Sequence, residues 1–243
     1  MLAASGRAFA PTMLSLVALG ACGALDDRDE PGTKDGARHP MAVTQPSSAA
    51  DGARVPVAAR FAVLDEDDGV VVARNAAHGF DARFSADVLT FEPRAQGAGW
   101  RVAVAVEGYG CAGEIAALAT GAPRGTSNRV DQAHGPVDAW YLNGPGGLEQ
   151  GFTLHHTPAC ASDQPARVAL DLSGLSARIV DGGRTAELLD ERKRVVLRYA
   201  GLHVSDATGR TVPARLLGGG GTLAIEVDLA GAVSPVTMEP TWR

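Results

Sequence analysis

The sequence predicts an all-β domain, an antiparallel β-sandwich with a closed barrel as the alternative, and three observations carry that expectation. Short segments rich in Val, Leu and Ala recur at roughly ten-residue spacing, separated by Gly, Asp and Pro. Within several of them apolar and polar residues alternate strictly, the period of a strand with one buried face. Aromatics make up only 5% of the chain, so those faces must be built mainly from aliphatic side chains, with the 30 glycines supplying turns. No amphipathic helix separates the segments, which argues against parallel βαβ units.

Phe61-Ala62-Val63-Leu64 and Val70-Val71-Val72 flank Asp65-Glu66-Asp67-Asp68-Gly69, a hairpin with an acidic turn. Residues 88–91 and 100–106 follow. In the second, Trp100, Val102, Val104 and Val106 fall on one face. Val168, Leu170 and Leu172 alternate with Arg167, Ala169 and Asp171, and Asp181-Gly182-Gly183 turns the chain toward a strand over residues 195–199. Asp206-Ala207-Thr208-Gly209 and Gly218-Gly219-Gly220-Gly221 bracket a strand over residues 212–217. Residues 222–228, again alternating, close the set.

Ahead of this domain, assigned to residues 56–243, the chain reads differently. Arg7 precedes an apolar run over residues 8–21 that is too short to span a bilayer, the pattern of a signal peptide. Leu19-Gly20-Ala21-Cys22 closes it and resembles the lipobox of bacterial lipoproteins. That resemblance implies cleavage before Cys22 and acylation of its thiol and new amino group. A plain secretory signal with an incidental Cys22 is the alternative. Gly23 stands where the lipoprotein sorting rule has Asp for inner-membrane retention, so the expected location is the outer membrane or cell surface. Residues 23–55 hold Asp26-Asp27-Arg28-Asp29-Glu30, then Pro31, Gly32, Pro40, Pro46 and Ser47-Ser48, and almost no β-branched or aromatic residues. Such a stretch buries too little to offset its ordering entropy and is expected to be a disordered tether. As a flexible coil it would hold the domain roughly 30 Å from the anchor.

The net charge of −6 and the lack of any basic cluster beyond Arg192-Lys193-Arg194 exclude nucleic acid as an expected partner. With Cys22 assigned to lipid, Cys111 and Cys160 are an even pair in an oxidising export compartment, so a disulfide is expected, two buried thiols being the alternative. Neither lies in a zinc-type spacing.

Asn128-Arg129-Val130, the run from Trp140-Tyr141-Leu142-Asn143-Gly144 through Phe152-Thr153-Leu154, Leu197-Arg198-Tyr199-Ala200-Gly201-Leu202, Asp206-Ala207-Thr208-Gly209-Arg210 and Pro235-Val236-Thr237-Met238-Glu239-Pro240 together form a pattern. It resembles the N-terminal module found ahead of FG-GAP (integrin-α-like) propeller repeats in large secreted bacterial proteins, over about residues 75–240. The resemblance implies no catalytic activity. Its relatives continue into repeats whereas this sequence ends at Arg243, so the calcium binding implied by repeats is not carried over.

Residues 143–152 are the leading candidate for a special site. Asn143-Gly144-Pro145-Gly146-Gly147 is too rich in turn formers to continue a strand and predicts a loop after Trp140 and Tyr141. Leu148, Phe152 and Leu154, at even spacing, are expected to enter the core, with Glu149 of opposite parity. Glu149 either folds back to accept loop N–H groups or joins Trp140 and Tyr141 in binding a carbohydrate or peptide. The acidic turn lacks the spaced ligands of an EF-hand. His155 and His156, adjacent in an expected strand, point to opposite faces and cannot grip one metal. GxSxG, HExxH and Walker motifs are absent from the sequence. No catalytic residue, metal or cofactor is therefore expected. The functional expectation is a surface-anchored, non-catalytic lipoprotein with a scaffold or interaction domain, meeting the membrane through its lipid and a cell-surface protein or glycan through its fold.

Overall fold

The computed structural model describes residues 56–160 and 164–243. Cys22 and the expected tether over residues 23–55 lie outside the described residues.

After one helical turn, α1 (Val57–Arg60), every regular element is a strand apart from one short 3-10 turn. β1 (Val63–Asp65), β2 (Val71–Asn75), β3 (Phe80–Phe84) and β4 (Leu89–Pro93) form consecutive antiparallel hairpins. The acidic residues make the β1–β2 turn as expected, with Asp68 at a left-handed φ of 66°. β5 (Val102–Cys111) buries Val102, Val104 and Val106, and Trp100 packs half-buried against the same core. Glu107 is a bulge: β11 pairs Leu170 with Val106 and Ala169 with Gly108, leaving one residue over. That extra residue reverses the parity, and odd-numbered Tyr109 turns inward where even-numbered valines did before.

β6 (Glu114–Ala117) folds back on β5, and the chain then enters β7 (Arg124–Thr126), β8 (Arg129–His134), β9 (Val137–Gly144) and β10 (Gly147–Leu154). The expected loop over residues 143–147 is instead the tight turn of a long hairpin. Only Pro145 and Gly146 are outside the ladder, because Gly144 pairs with Gly147. Just after the turn the backbone takes a positive φ of 129° at Gly147, pressed so close to the Trp242 carbonyl that a Cβ would not fit. Turn-forming composition was compatible with a tight turn as well as with a loop, and eight paired positions decide for the turn.

β11 (Ala166–Ser173), β12 (Ser176–Val180), β13 (Thr185–Leu189), β14 (Val195–Ala200), β15 (Val204–Ser205), β16 (Ala214–Gly219) and β17 (Thr222–Val227) follow; β11, β14, β16 and β17 lie close to expected strands, whereas β12, β13 and β15 are additional. Residues 222–228 do not close the set, however. β18 (Val236–Met238) and β19 (Thr241–Trp242) come after them and complete the second sheet.

Two antiparallel sheets pack face to face. The first runs β1-β2-β3-β4-β5-β11-β17-β16 with β6 attached to β5, and the second runs β12-β13-β14-β19-β10-β9-β8-β7 with β15 and β18 at its centre. The architecture is a sandwich and not a closed barrel. Backbone bonds stitch both margins: Val63 N–H to Ser127 O (2.7 Å) on one side, and Leu216 N–H to Gly183 O (2.7 Å) with the reciprocal Ala177–Gly220 pair (2.7 and 3.2 Å) on the other. Those bonds and the opposing sheet cover the edge strands, which would otherwise offer free pairing groups.

The core is a single cluster between the sheets. Its aliphatic body is as expected, and its few aromatics are stacked at the centre. Phe80 meets Phe91 edge-on at 5.2 Å, Phe91 meets Trp242 at 5.2 Å and Trp242 meets Tyr199 at 4.0 Å between ring centroids. Cys111 at the end of β5 is bonded to Cys160 beyond β10, with a Cα–Cα distance of 5.4 Å across a sequence separation of 49. The bridge therefore ties the end of β5 to the connection that carries the chain from β10 to β11. Closing a loop of this length removes about 4 kcal/mol of entropy from the unfolded chain at most.

Candidate functional site

The β9–β10 hairpin divides the three residues singled out from sequence. Tyr141 points into the core, 2% exposed, with its ring 4.7 Å from Phe84 and its hydroxyl accepting from the Gln150 amide at 3.2 Å. Burial pushes its hydroxyl far above the ordinary phenol range. Trp140 and Glu149 have the opposite parity and lie on the outer face of the second sheet. They are diagonal neighbours, since Trp140 pairs with Gly151 and Glu149 with Leu142.

Trp140 rests on Gly151, where an added Cβ would collide with the six-membered part of the indole. Arg129, from β8, places its guanidinium 4.8 Å from the ring centroid while bonding Asp131 at 2.7 Å. The indole therefore already has both an apolar seat and a cation from its own chain. Glu149 is half-buried, and among the described residues nothing hydrogen-bonds its carboxylate. Burial pushes that carboxyl above the ordinary range, and Glu239 across the face adds to the shift. With no loop present and no N–H groups gathered on it, Glu149 is not the pin that the sequence suggested.

The pin is Gln150, one residue along. It is fully buried, and its Oε1 accepts from the Tyr199 hydroxyl (2.8 Å) and the Trp242 indole N–H (2.9 Å), while its amide donates to Tyr141. An indole N–H can only donate, so Trp242 fixes which way the amide faces. A signal for this was present in the sequence. Gln150 shares the parity of Leu148, Phe152 and Leu154, and a strand that buries those three must bury it too.

Asn143, likewise hidden among turn formers, is fully buried and bridges the sheets. Its amide donates to Phe61 O (2.9 Å) and Arg74 O (3.1 Å), and its Oδ1 accepts from Asn75 (2.9 Å). Asn128 donates to its backbone carbonyl at 2.8 Å.

Two further carboxylates are consumed in the same manner. Asp206, with its side chain 1% exposed, accepts from the Thr208 hydroxyl (2.6 Å) and from the backbone N–H groups of Thr208 and Arg210. The Thr208 hydroxyl above all holds its carboxyl well below the usual range, against the effect of burial. Glu226, facing outward on β17, lies between cross-strand Arg167 and Arg215, each at 2.6 Å. Burial alone would raise its carboxyl, but the two guanidinium groups outweigh that and lower it. Arg215 and Glu226 also border an open groove of about 560 Å³ beside Cys160, walled by Thr157, Pro158 and Pro213.

His155 and His156 lie just past the end of β10, not in a strand, and both are exposed; His155 bonds Asp138 at 2.7 Å. Among the described residues no three His, Cys, Asp or Glu side chains gather as metal ligands would. Comparison with models of known families, with curated proteins and with solved structures returns no match.

Proposed function

We propose that the protein is a lipid-anchored, non-catalytic display module of the bacterial cell envelope, held by acyl chains on Cys22 and extended on the tether of residues 23–55. The observation that carries this reading is the Cys111–Cys160 bond. The chain has three cysteines, so that bond leaves Cys22 without an intramolecular partner, at the end of a lipobox-like signal. The bond also fits an oxidising compartment. A scaffold role is supported by the way the fold spends its polar side chains: Asn143, Gln150 and Glu226 brace strands to one another, and Asp206 pins the turn over residues 206–210. The sequence pattern similar to the module preceding FG-GAP repeats agrees with a presenting role.

Detergent phase separation after expression in a lipoprotein-processing host tests the anchor. The wild type partitions into the detergent phase and Cys22→Ser into the aqueous phase. Two aqueous proteins would overturn the anchor.

A second reading, a carbohydrate- or peptide-binding module, now rests on Trp140 and Glu149 alone, because they share the outer face and Tyr141 does not. A panel of glycans and peptides that binds the wild type but not Trp140→Ala would establish it.

A further inference from the structure

β8 carries two inward polar side chains two residues apart, and the fold treats them differently. Gln132 has its amide nitrogen within reach of Ser85 O (3.1 Å), Ala86 O (2.7 Å) and Gly121 O (2.9 Å). His134 is 2% exposed, and neither of its ring nitrogens has a hydrogen-bond partner among the described residues. Three segments meet at this end of the sandwich: the β3–β4 turn, the connection from β6 to β7, and the β8–β9 turn. The connection is held by Gly121 N–H to Ala133 O (2.8 Å) and by the Thr120 hydroxyl to Asp87 (2.9 Å).

The charged groups on these elements are Asp87 on the β3–β4 turn and Asp138 on β9, the latter paired with His155 at 2.7 Å; neither bonds His134. Asp138 favours the imidazolium through space, yet burial outweighs it and holds the ring below its ordinary range. A neutral imidazole can be kept at this position. An imidazolium would bury two N–H donors and a charge with nothing to receive them.

We propose that His134 is an acid-operated latch: on taking up a proton it leaves the interior and residues 118–134 detach, while the remainder of the sandwich stays folded. The topology permits such an opening. β7 and β8 are the outermost strands of their sheet, so their release unzips no further strand of it, breaks the Val63–Ser127 bond at the margin and exposes the pairing edge of β9. The sign follows from proton linkage. Above pH ~6.5 neither the seated nor the released ring is charged and the latch is neutral. Below it the released ring binds a proton that the seated ring refuses. Opening is then favoured by up to about tenfold per pH unit, until the seated ring itself is protonated.

Hydrogen exchange of the full chain at pH 7.5 and 5.5, corrected for intrinsic rates, tests the latch. The wild type should lose about tenfold protection over residues 118–134 at the lower pH, with the other strands unchanged, and His134→Leu should show no such dependence. An equal pH dependence in the variant, or a uniform loss of protection, would overturn the proposal. A readout free of substitution is the histidine proton–carbon NMR titration of the wild type. The His134 resonance should begin to move only below the ordinary histidine range, and a titration within that range would overturn it equally.

Discussion

Gln150 and Glu149 are adjacent in the chain and opposite in consequence. Replacing Gln150 with Leu keeps the volume but strands the Trp242 N–H and the Tyr199 O–H in the core. Each buried donor without an acceptor costs on the order of 1–3 kcal/mol, so urea unfolding of Gln150→Leu should show a loss of about 2–4 kcal/mol. Glu149→Gln should do the reverse. A carboxyl whose folded pKa is raised binds its proton more tightly when folded, and stability falls as pH rises from the ordinary carboxylate range. Thermal melts should therefore place Glu149→Gln at or above the wild-type Tm at pH 7, with the difference vanishing near pH 4. At this scale the sequence was half legible. Alternation identified Leu148, Phe152 and Leu154 as core, and all three are fully buried. The same parity put Gln150 among them; what alternation concealed was how it is satisfied, because Tyr199 and Trp242 stand 49 and 92 residues away.

The element with the most leverage is one of the two shortest, β19. Its two residues join β14 on one side to β10 on the other, and without it the second sheet falls into two halves. Trp242→Ala should cost about 3–5 kcal/mol by the lost aromatic volume, and more if Gln150 is left unsatisfied, as calorimetry would register. A cost under about 1 kcal/mol would mean that the two halves are coupled chiefly through the opposite sheet. Residues 236–242 escaped sequence reading for a physical reason. Strands of three and two residues interrupted by Pro240 have no period to detect, and only pairing across the sheet defines them. The longer strands were legible because one wet face and one dry face impose alternation directly. Where alternation was broken by Glu107 at the bulge, the parity of Tyr109 could not be read from the sequence.

At the scale of the molecule, the buried carboxylates set the response to acid. Asp206 and Glu226 are held below their ordinary ranges. The stability they contribute is complete above the unfolded carboxylate pKa and is lost as pH falls through their folded values. Asp206→Asn should lower Tm at pH 7 and converge with the wild type toward pH 2; a constant gap across that range would show that charge is not what Asp206 contributes. The bracing itself bears on function, because a rigid, disulfide-tied sandwich suits presentation at the end of a tether. The account stands or falls on how that sandwich is attached. The most direct measurement is the mass of the mature protein and of its N-terminal peptide after expression in a lipoprotein-processing host. The account predicts an N-terminus at Cys22 carrying the added mass of a diacylglyceryl group and an amide-linked acyl chain. An N-terminus at any other residue, or an unmodified Cys22, would contradict it.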